Sequence, residues 1–385
     1  MKTALGMMTR NFVSPETILL FLENAKKYHH EISSVIVVTS GEISDEAVKT
    51  IESSYGIPVT TVRINEAEKA YGAFEAAGIS QKTADKLLHC DTVSHSGLVP
   101  YGFNRNTVLI EAILQKMDVL VYIDDDVAPY VLKRIDGKIT EEEVDFFGRH
   151  LGEIEKGADI TTSDYSGYNI LPYAYFDGMQ QLLLAVQKET MQEFWKHSRM
   201  HECLYTQHGK EVIPVRTRKV IGGNMAIDLR NRLKVLPFFS PYYELNGTTY
   251  LARGEDTLIA HIGESRNIKC VDVDMYIFHN TYGDYPEVPS LKEKKSTQER
   301  FFYACTGWIG RNPFMNYMLG YAHDALRKRQ LANLIIATKA LIDYTGNDIY
   351  SVLPDAHQAA WDSLPQAVVD YQQTMDAWDE FINMI

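Results

Sequence analysis

Short apolar stretches alternate with amphipathic stretches through the first sixty residues of the chain. Val35-Ile36-Val37-Val38 is β-branched throughout and ends at Ser40-Gly41, which is typical of a strand buried on both faces of a parallel sheet. Residues 4–8 and 57–62 form similar apolar runs. Two helical patterns lie between these runs, one opening at Ser14-Pro15 and one over residues 44–54. This alternation predicts a parallel sheet with helices on both faces.

Later segments continue the pattern. Residues 117–123 read as a strand that runs directly into Asp124-Asp125-Asp126, and residues 270–278 alternate between apolar and polar positions and end at His279. We also expect helices over 81–89, 107–116 and 137–157, a strand over 158–162, and an aromatic-rich loop over 163–176. The predicted fold is α/β, with a Rossmann-like, mostly parallel sheet over 1–290 and a helical C-terminal region over 291–385.

Composition and charge exclude several classes of protein. The 385 residues are 45% hydrophobic and 23% charged, as in ordinary globular proteins. The formal charge of −13 disfavours a nucleic acid polymer or an anionic membrane surface as a partner, because a protein that binds either needs an excess of cationic side chains. We find neither a signal peptide nor a run of about 20 apolar residues. Because the four cysteines are scattered, we expect reduced thiols and a cytoplasmic location.

The three aspartates after the strand at 117–123 are the most informative feature of the sequence. Asp124 and Asp126 are two residues apart, so in extended chain their carboxylates point the same way. The carboxyl ends of parallel strands open onto the crevice where α/β sheets bind ligands, and paired carboxylates suit a hard divalent cation. A solvated acidic turn is the plainer alternative. An aspartyl phosphotransferase is another, although Ala128 lacks the hydroxyl that such a motif carries.

In order and position along residues 3–280, these features resemble the GT-A glycosyltransferases, which use nucleotide sugars and carry an Asp-x-Asp motif. The resemblance is greatest to the large inverting family, and it implies a GT-A fold. It also implies that Asp124 faces the nucleotide ribose, that Asp126 binds a metal ion, and that His279 completes the metal shell with both aspartates. Because a histidine nitrogen is among the ligands, we expect Mn²⁺ in preference to Mg²⁺.

The same resemblance assigns the remaining site residues. It implies that Arg105 lies near the donor, that Gly223 and Asn224 lie beside the transferred sugar, and that Glu255-Asp256 carries the catalytic base. We expect Thr9, Arg10 and Asp125 on the nucleotide side. The chain departs from the family pattern after its second strand, where Thr39-Ser40-Gly41-Glu42 replaces Asp-x-x-Ser. A UDP-sugar is expected in preference to a GDP-sugar.

The predicted reaction is transfer of a sugar to a hydroxyl of a carbohydrate or other acceptor, with inversion, in which Asp256 or Glu255 removes the acceptor proton. Asp256 also suits an N-cap role. A retaining transferase of the same fold, a sugar nucleotidyltransferase and a non-catalytic carbohydrate-binding protein stay open. The nucleotidyltransferase is disfavoured because no glycine follows the first strand. We expect the helical C-terminal region to cap the acceptor side or to mediate homo-oligomerisation.

Overall fold

A mostly parallel sheet forms the centre of the molecule, as the sequence pattern predicts. The structure, a computed structural model, describes residues 1–94, 97–186, 202–204, 215–217, 219–321 and 323–385. Its strands are β1 (Thr3–Thr9), β2 (Ser34–Thr39), β3 (Val59–Arg63), β4 (Val119–Ile123), β5 (Val127–Ala128), β6 (Tyr130–Ile135), β7 (Lys138–Glu143), β8 (Ile160–Thr162), β9 (Tyr165–Tyr168), β10 (Glu202–Cys203), β11 (Val215–Arg216), β12 (Asn224–Asp228), β13 (Tyr242–Leu245), β14 (Thr248–Leu251), β15 (Cys270–Asp272) and β16 (Ile277–His279).

Helices cover the sheet and make up most of the C-terminal third. They are α1 (Glu16–Lys27), α2 (Asp45–Tyr55), α3 (Glu68–Ala76), α4 (Gln81–Leu88), α5 (Tyr101–Leu114), α6 (Phe146–Glu155), α7 (Met179–Val186), α8 (Glu255–Ser265), α9 (Lys295–Met318), α10 (His323–Thr345), α11 (Leu353–Asp362) and α12 (Leu364–Met384). Among the described residues, no helix is long and apolar enough to cross a membrane.

The central sheet has eight strands in the order β11-β15-β8-β12-β4-β1-β2-β3. Strands β3, β2, β1 and β4 are mutually parallel. Strand β12 runs antiparallel between β4 and β8, whereas β15 is parallel to β8. The carboxyl ends of the parallel strands therefore meet the start of β12 at one edge of the sheet.

Side chains of alternate residues enter two different hydrophobic cores, one on each face of this sheet. On β4, Leu120 and Tyr122 join one core, and Val121 and Ile123 join the other. The first core includes side chains of α3, α4, α5 and α12, and the second includes side chains of α1, α2 and α6. Burial on both faces explains why the strand sequences are continuously apolar.

A smaller four-stranded sheet, in the order β10-β9-β16-β5, lies beside the first. Three residues, Asp124-Asp125-Asp126, separate the end of β4 from the start of β5, so this acidic segment joins the two sheets. Strand β16 pairs antiparallel with β5 and parallel with β9. This pairing brings the late segment around His279 next to the acidic segment.

The C-terminal helices share the core of the α/β part. Phe314 on α9 and Trp378 and Phe381 on α12 pack in the same cluster as Leu120 and Tyr122 of β4. The ring of Phe381 stacks on Phe74 of α3, with centroids 4.6 Å apart. The domain boundary near residue 290 stays a prediction, and the hydrophobic core is continuous across it.

Four elements differ from the sequence prediction. The loop expected over 163–176 contains strand β9 (Tyr165–Tyr168). The helix expected over 137–157 is wrong in its first part, because Asp136 and Gly137 have positive φ values of 50° and 79° and join β6 and β7 as a hairpin. Helix α5 begins at Tyr101 rather than at 107. The strand expected over 270–278 is interrupted, with Asp274 at a φ of 46° between β15 and β16.

The stacked pair provides a test of the shared core. Phe381→Ala removes a fully buried ring, so we expect the free energy of unfolding to fall by about 3–5 kcal/mol, measured by urea denaturation. Val369→Ala on the same helix is the control, since Val369 is exposed and its replacement should change stability by less than about 0.5 kcal/mol. Equal effects of the two substitutions would contradict the packing described here.

Candidate active site

The pairing of β5 with β16 sets the position of the acidic segment. His279 lies opposite Val127 in the antiparallel register, and the Asn280 N–H donates to the Asp126 carbonyl oxygen at 2.9 Å. The Asp126 carboxylate therefore meets the His279 ring, with Asp126 Oδ1 3.1 Å from His279 Nε2. Residues 153 positions apart in sequence meet because two short strands pair.

The hydrogen bonds around His279 determine its tautomer. The Thr281 hydroxyl lies 3.0 Å from His279 Nδ1 and donates its single proton to the Tyr168 carbonyl oxygen at 2.9 Å. With that bond made, Nδ1 carries the hydrogen that Thr281 Oγ1 accepts, and Nε2 faces the Asp126 carboxylate. Either a proton on Nε2 or a bound cation would join the imidazole to the carboxylate.

This donor set fits a divalent cation. A metal-binding histidine commonly has its other nitrogen fixed by a hydrogen bond, as Thr281 does here. Neighbouring ligands about 2.1 Å from an octahedral ion lie about 3.0 Å apart, close to the Asp126–His279 separation. Across the described parts of the chain, no group of three or more His, Cys, Asp or Glu side chains is arranged as a metal site. In the part of the chain that the structure describes, Asp126 and His279 are in contact, and the three-ligand set expected from the sequence stays a prediction.

Asp124 is the expected ligand that this arrangement leaves out. Its Oδ1 lies 3.5 Å from Arg105 Nη2, and its Oδ2 accepts from the Tyr165 hydroxyl at 3.3 Å. Burial raises the pKa of Asp124 against the opposing charge of Arg105. For Asp126, burial also opposes ionisation, but the charges of His279 and Arg300 outweigh it and lower the pKa.

Arg105 is buried beneath the site. It is 2% exposed, and its guanidinium donates to Glu255 Oε1 at 2.7 Å and to the Gly222 carbonyl oxygen at 3.1 Å. Burial alone would lower the pKa of Arg105, but the carboxylates of Glu255 and Asp124 raise it. The place of Arg105 near the donor stays a prediction, and in the structure its side chain supports Asp124 and the 222–223 turn.

Side chains of the site approach the backbone at the two positions before β12 so closely that both must be glycine. A Cβ atom on Gly222 would lie 1.9 Å from Arg105 Nη2, and one on Gly223 would lie 2.4 Å from both Asp124 Oδ2 and the Tyr165 hydroxyl. The backbone of the turn therefore packs directly against the charged side chains. Asn224, expected beside the sugar, is instead fully buried.

Asn224 has a structural role that its position explains. Its amide nitrogen donates to the carbonyl oxygens of Asp164 and Met275, and its Oδ1 lies 3.0 Å from His150 Nε2. These bonds tie the start of β12 to both sides of the sheet and satisfy the buried amide. The sugar contact expected of Asn224 stays a prediction, and its buried amide is already occupied by these bonds.

Asp256 lies in the first turn of α8, on the other side of the glycine turn from Arg105. Its Oδ2 accepts from the Gly222 N–H at 2.8 Å and its Oδ1 from the Thr257 N–H at 2.7 Å. The N-cap itself is Gly254, at a φ of 95°, so Asp256 is not the cap. Burial, with the neighbouring charge of Glu255, raises the pKa of Asp256 to about 6.

Asp125 contacts the end of β1 and the start of α1. Its carboxylate accepts from the Thr9 hydroxyl, and its carbonyl oxygen accepts from the Thr17 hydroxyl at 2.9 Å. Arg10 is exposed directly after Thr9. The structure thus brings Thr9 and Asp125 together, and the role of Thr9, Arg10 and Asp125 in nucleotide binding stays a prediction.

Two side chains complete the site without having been assigned to it from the sequence. Tyr165 on β9 lies with its ring centroid 4.4 Å from that of His279, and burial together with the charges of Asp124, Asp126 and Asp256 raises its pKa well above the usual value. Arg300 on α9 brings Nη2 to 3.5 Å from Asp126 Oδ2. Tyr165 belongs to an aromatic segment that the sequence flags, whereas no motif marks Arg300.

A cavity of about 580 Å³ lies elsewhere, on the far side of α5. Its lining comes from α4, α5, α12 and residues 238–244, and of the described residues that form it none is an acidic-segment residue, Asp256 or His279. The candidate active site is therefore identified by its chemistry and not by its volume.

Comparisons with known proteins do not assign a family. No family model matches the chain, and no curated protein matches it. Among solved structures, glucosyl-3-phosphoglycerate synthase from Mycobacterium tuberculosis, in complex with Mn²⁺ and UDP-glucose, is 12% identical over 84% of this chain and 80% of its own, with a TM-score of 0.38. S. aureus TarS 1–349 is 11% identical over 97% and 92%, with a TM-score of 0.36. Similarities this low do not identify an activity.

The glycine turn gives a test of the site's packing. In Gly223→Ala the new methyl group must displace Asp124 or Tyr165, so we expect the free energy of unfolding to fall by about 1–3 kcal/mol, measured by urea denaturation. Gly72→Ala is the matched control, since no atom lies within 4 Å of a Cβ there and alanine favours the helix by up to about 1 kcal/mol. A Gly223→Ala protein as stable as the wild type would contradict the close approach.

Proposed function

We propose that the protein is a glycosyltransferase that moves a sugar from a nucleoside-diphosphate sugar to an acceptor hydroxyl. The observation that carries this proposal is the facing pair Asp126 and His279 at the carboxyl end of the sheet, a carboxylate and an imidazole that would serve as two ligands of one cation. Asp256, whose pKa is raised to about 6, acts together with Asp126 on the pKa of the Tyr165 hydroxyl. A cation site and a candidate base around the same tyrosine suit displacement of a diphosphate by a hydroxyl group.

Asp126 and His279 would hold the cation, Mn²⁺ in preference to Mg²⁺ because one ligand is an imidazole. When bound, such a cation offsets the negative charge that develops on a departing diphosphate. Having only two protein ligands is compatible with this role, since a catalytic ion keeps positions open for phosphate oxygens.

Asp256 is the proposed general base. It would accept the proton of the acceptor hydroxyl while the hydroxyl oxygen bonds to the anomeric carbon and the bond from that carbon to the diphosphate breaks, with inversion. The N–H groups of Gly222 and Thr257 fix the orientation of its carboxylate. Glu255 is buried against Arg105, so it is better suited to positioning than to proton transfer.

The nucleotide is proposed to bind on the side of Thr9, Arg10 and Asp125, where polar and charged groups converge at the end of β1. A UDP-sugar is the preferred donor. Retention, which needs no base in this position, is the alternative outcome for the same donor, and product stereochemistry distinguishes the two.

The cation site predicts metal-dependent nucleotide binding. In Asp126→Asn or His279→Ala we expect the affinity for UDP in the presence of Mn²⁺ to fall at least tenfold, measured by calorimetry, and chelation of Mn²⁺ should have the same effect on the wild type. Asp118→Asn is the control, because Asp118 precedes the opposite end of β4, where it bonds the Lys2 N–H. Metal-independent binding of UDP would refute the site.

The base assignment predicts a loss of turnover without a loss of donor binding. Asp256→Asn should reduce kcat at least a hundredfold, since general base catalysis contributes about 10²–10⁴-fold, and should leave the affinity for UDP with Mn²⁺ unchanged. Asp324→Asn is the matched control, because Asp324 is an exposed first-turn aspartate of α10. Release of free UDP, rather than pyrophosphate, identifies glycosyl transfer.

The pKa of Asp256 predicts the pH profile of the wild type. A base must be ionised, so a pKa raised to about 6 means that kcat/KM falls as pH decreases through about 6 and is constant above it. An unperturbed aspartate would retain activity down to about pH 4. A profile with no acidic limb near pH 6 would argue against Asp256 as the base.

A further inference from the structure

The site contains positive charge that the proposed chemistry does not use. Arg253, directly before Gly254-Glu255-Asp256, is half-buried, and within the described residues its guanidinium meets no carboxylate. Its guanidinium carbon lies 5.8 Å from the centroid of the Tyr303 ring. Although the chain as a whole carries a charge of −13, the described residues thus place an arginine without a carboxylate contact directly before the candidate base.

Arg300 supplies a second cation close to the first. It lies on α9 three residues before Tyr303, the ring that Arg253 contacts, so one helical turn separates the two points of contact. Its guanidinium carbon lies 5.9 Å from the centroid of the Tyr282 ring, and its buried Nε has no hydrogen-bond partner in the described structure. Among the described residues, its carboxylate contact is the 3.5 Å approach to Asp126, and the charges of Arg300 and Arg253 both act on Tyr282.

Helix α9 holds this pair in place. Arg300, Tyr303, Gly307 and Arg311 recur at the spacing of one helix face, and this face packs against residues 253–254. A Cβ on Gly307 would lie 2.4 Å from Arg253 Cγ, and one on Gly254 would lie 2.6 Å from Arg311 Nη1. Because glycines allow this contact, Arg253 is fixed against α9 and cannot turn freely into solvent.

We propose that Arg253 and Arg300 bind a phosphate or carboxylate group carried by the acceptor. This inference rests on the proposed function, because it concerns the second substrate of the same site. Arginine presents paired donors that match the oxygens of either anion. Arg253 lies three residues before the candidate base and Arg300 touches the candidate metal ligand, so an anion between them would place an attached hydroxyl close to Asp256.

The donor diphosphate also carries anionic phosphate groups that two arginines can bind. The experiment distinguishes binding of the donor diphosphate from binding of an anionic group on the acceptor. Inorganic phosphate is titrated into the wild-type protein that is already saturated with UDP and Mn²⁺, and binding is followed by calorimetry. We expect phosphate to bind under these conditions, at least tenfold more weakly in Arg253→Gln and in Arg300→Gln. Arg253→Lys should retain part of the affinity, and Arg329→Gln, an exposed arginine of α10, should match the wild type.

Turnover then tests the acceptor directly. Paired compounds that differ by one anionic group, glucose with glucose 6-phosphate and glycerol with glycerol phosphate, are offered with UDP-sugars while UDP release is measured. We expect the anionic member of a pair to be used, with KM for it raised at least tenfold in Arg253→Gln and the affinity for UDP with Mn²⁺ unchanged.

Three results would overturn the inference: phosphate binding that is the same in both variants and in the wild type, equal use of neutral and anionic acceptors, or an affinity for UDP with Mn²⁺ that falls as much as the phosphate affinity. Failure of the proposed function itself gives a different pattern. The protein would then bind no UDP with Mn²⁺ and release none, whatever residue stands at position 253.

Discussion

One buried cation organises the candidate site. The Arg105 guanidinium contacts Glu255 at the start of α8, the Gly222 carbonyl oxygen before β12, and Asp124 after β4. Without this charge, the buried Glu255 carboxylate would lose its ion-pair partner, a change that typically costs about 3–5 kcal/mol. Because the same side chain touches all three segments, the placement of Asp124 and of the helix that carries Asp256 depends on one ion network.

The sequence was most informative where local pattern and tertiary context agree. The β-branched run at 35–38 and the strand before Asp124 belong to interior strands of the sheet and are buried on both faces, so composition alone identified them. The hairpin β6–β7 was mistaken for a helix because its second strand is rich in glutamate. The Asp136-Gly137 pair is the signal that favours a two-residue hairpin turn, and it outweighed the helical propensity.

The chemistry of the site was predictable where side chains follow strand ends. Asp126 and His279 were identified in this way, and the structure brings them into contact. The structural bonds of Asn224 were not predictable, because a buried structural amide and a sugar-binding amide look the same in sequence. Arg300 could not have been found, since its contact with Asp126 depends on the packing of a helix that begins 169 residues after that aspartate.

The antiparallel pairing of β12 with β4 makes the arrangement of the site depend on the register of these two strands. Asn224 pairs with Ile123 in the ladder between β12 and β4, so the glycine turn and the acidic segment are neighbours by hydrogen-bond register. A slip of one residue in that ladder would invert the inward and outward faces of β12 and also move the turn off Asp124. Errors in strand alignment would therefore abolish the core and the chemistry together, and no folded but misaligned form would retain partial activity.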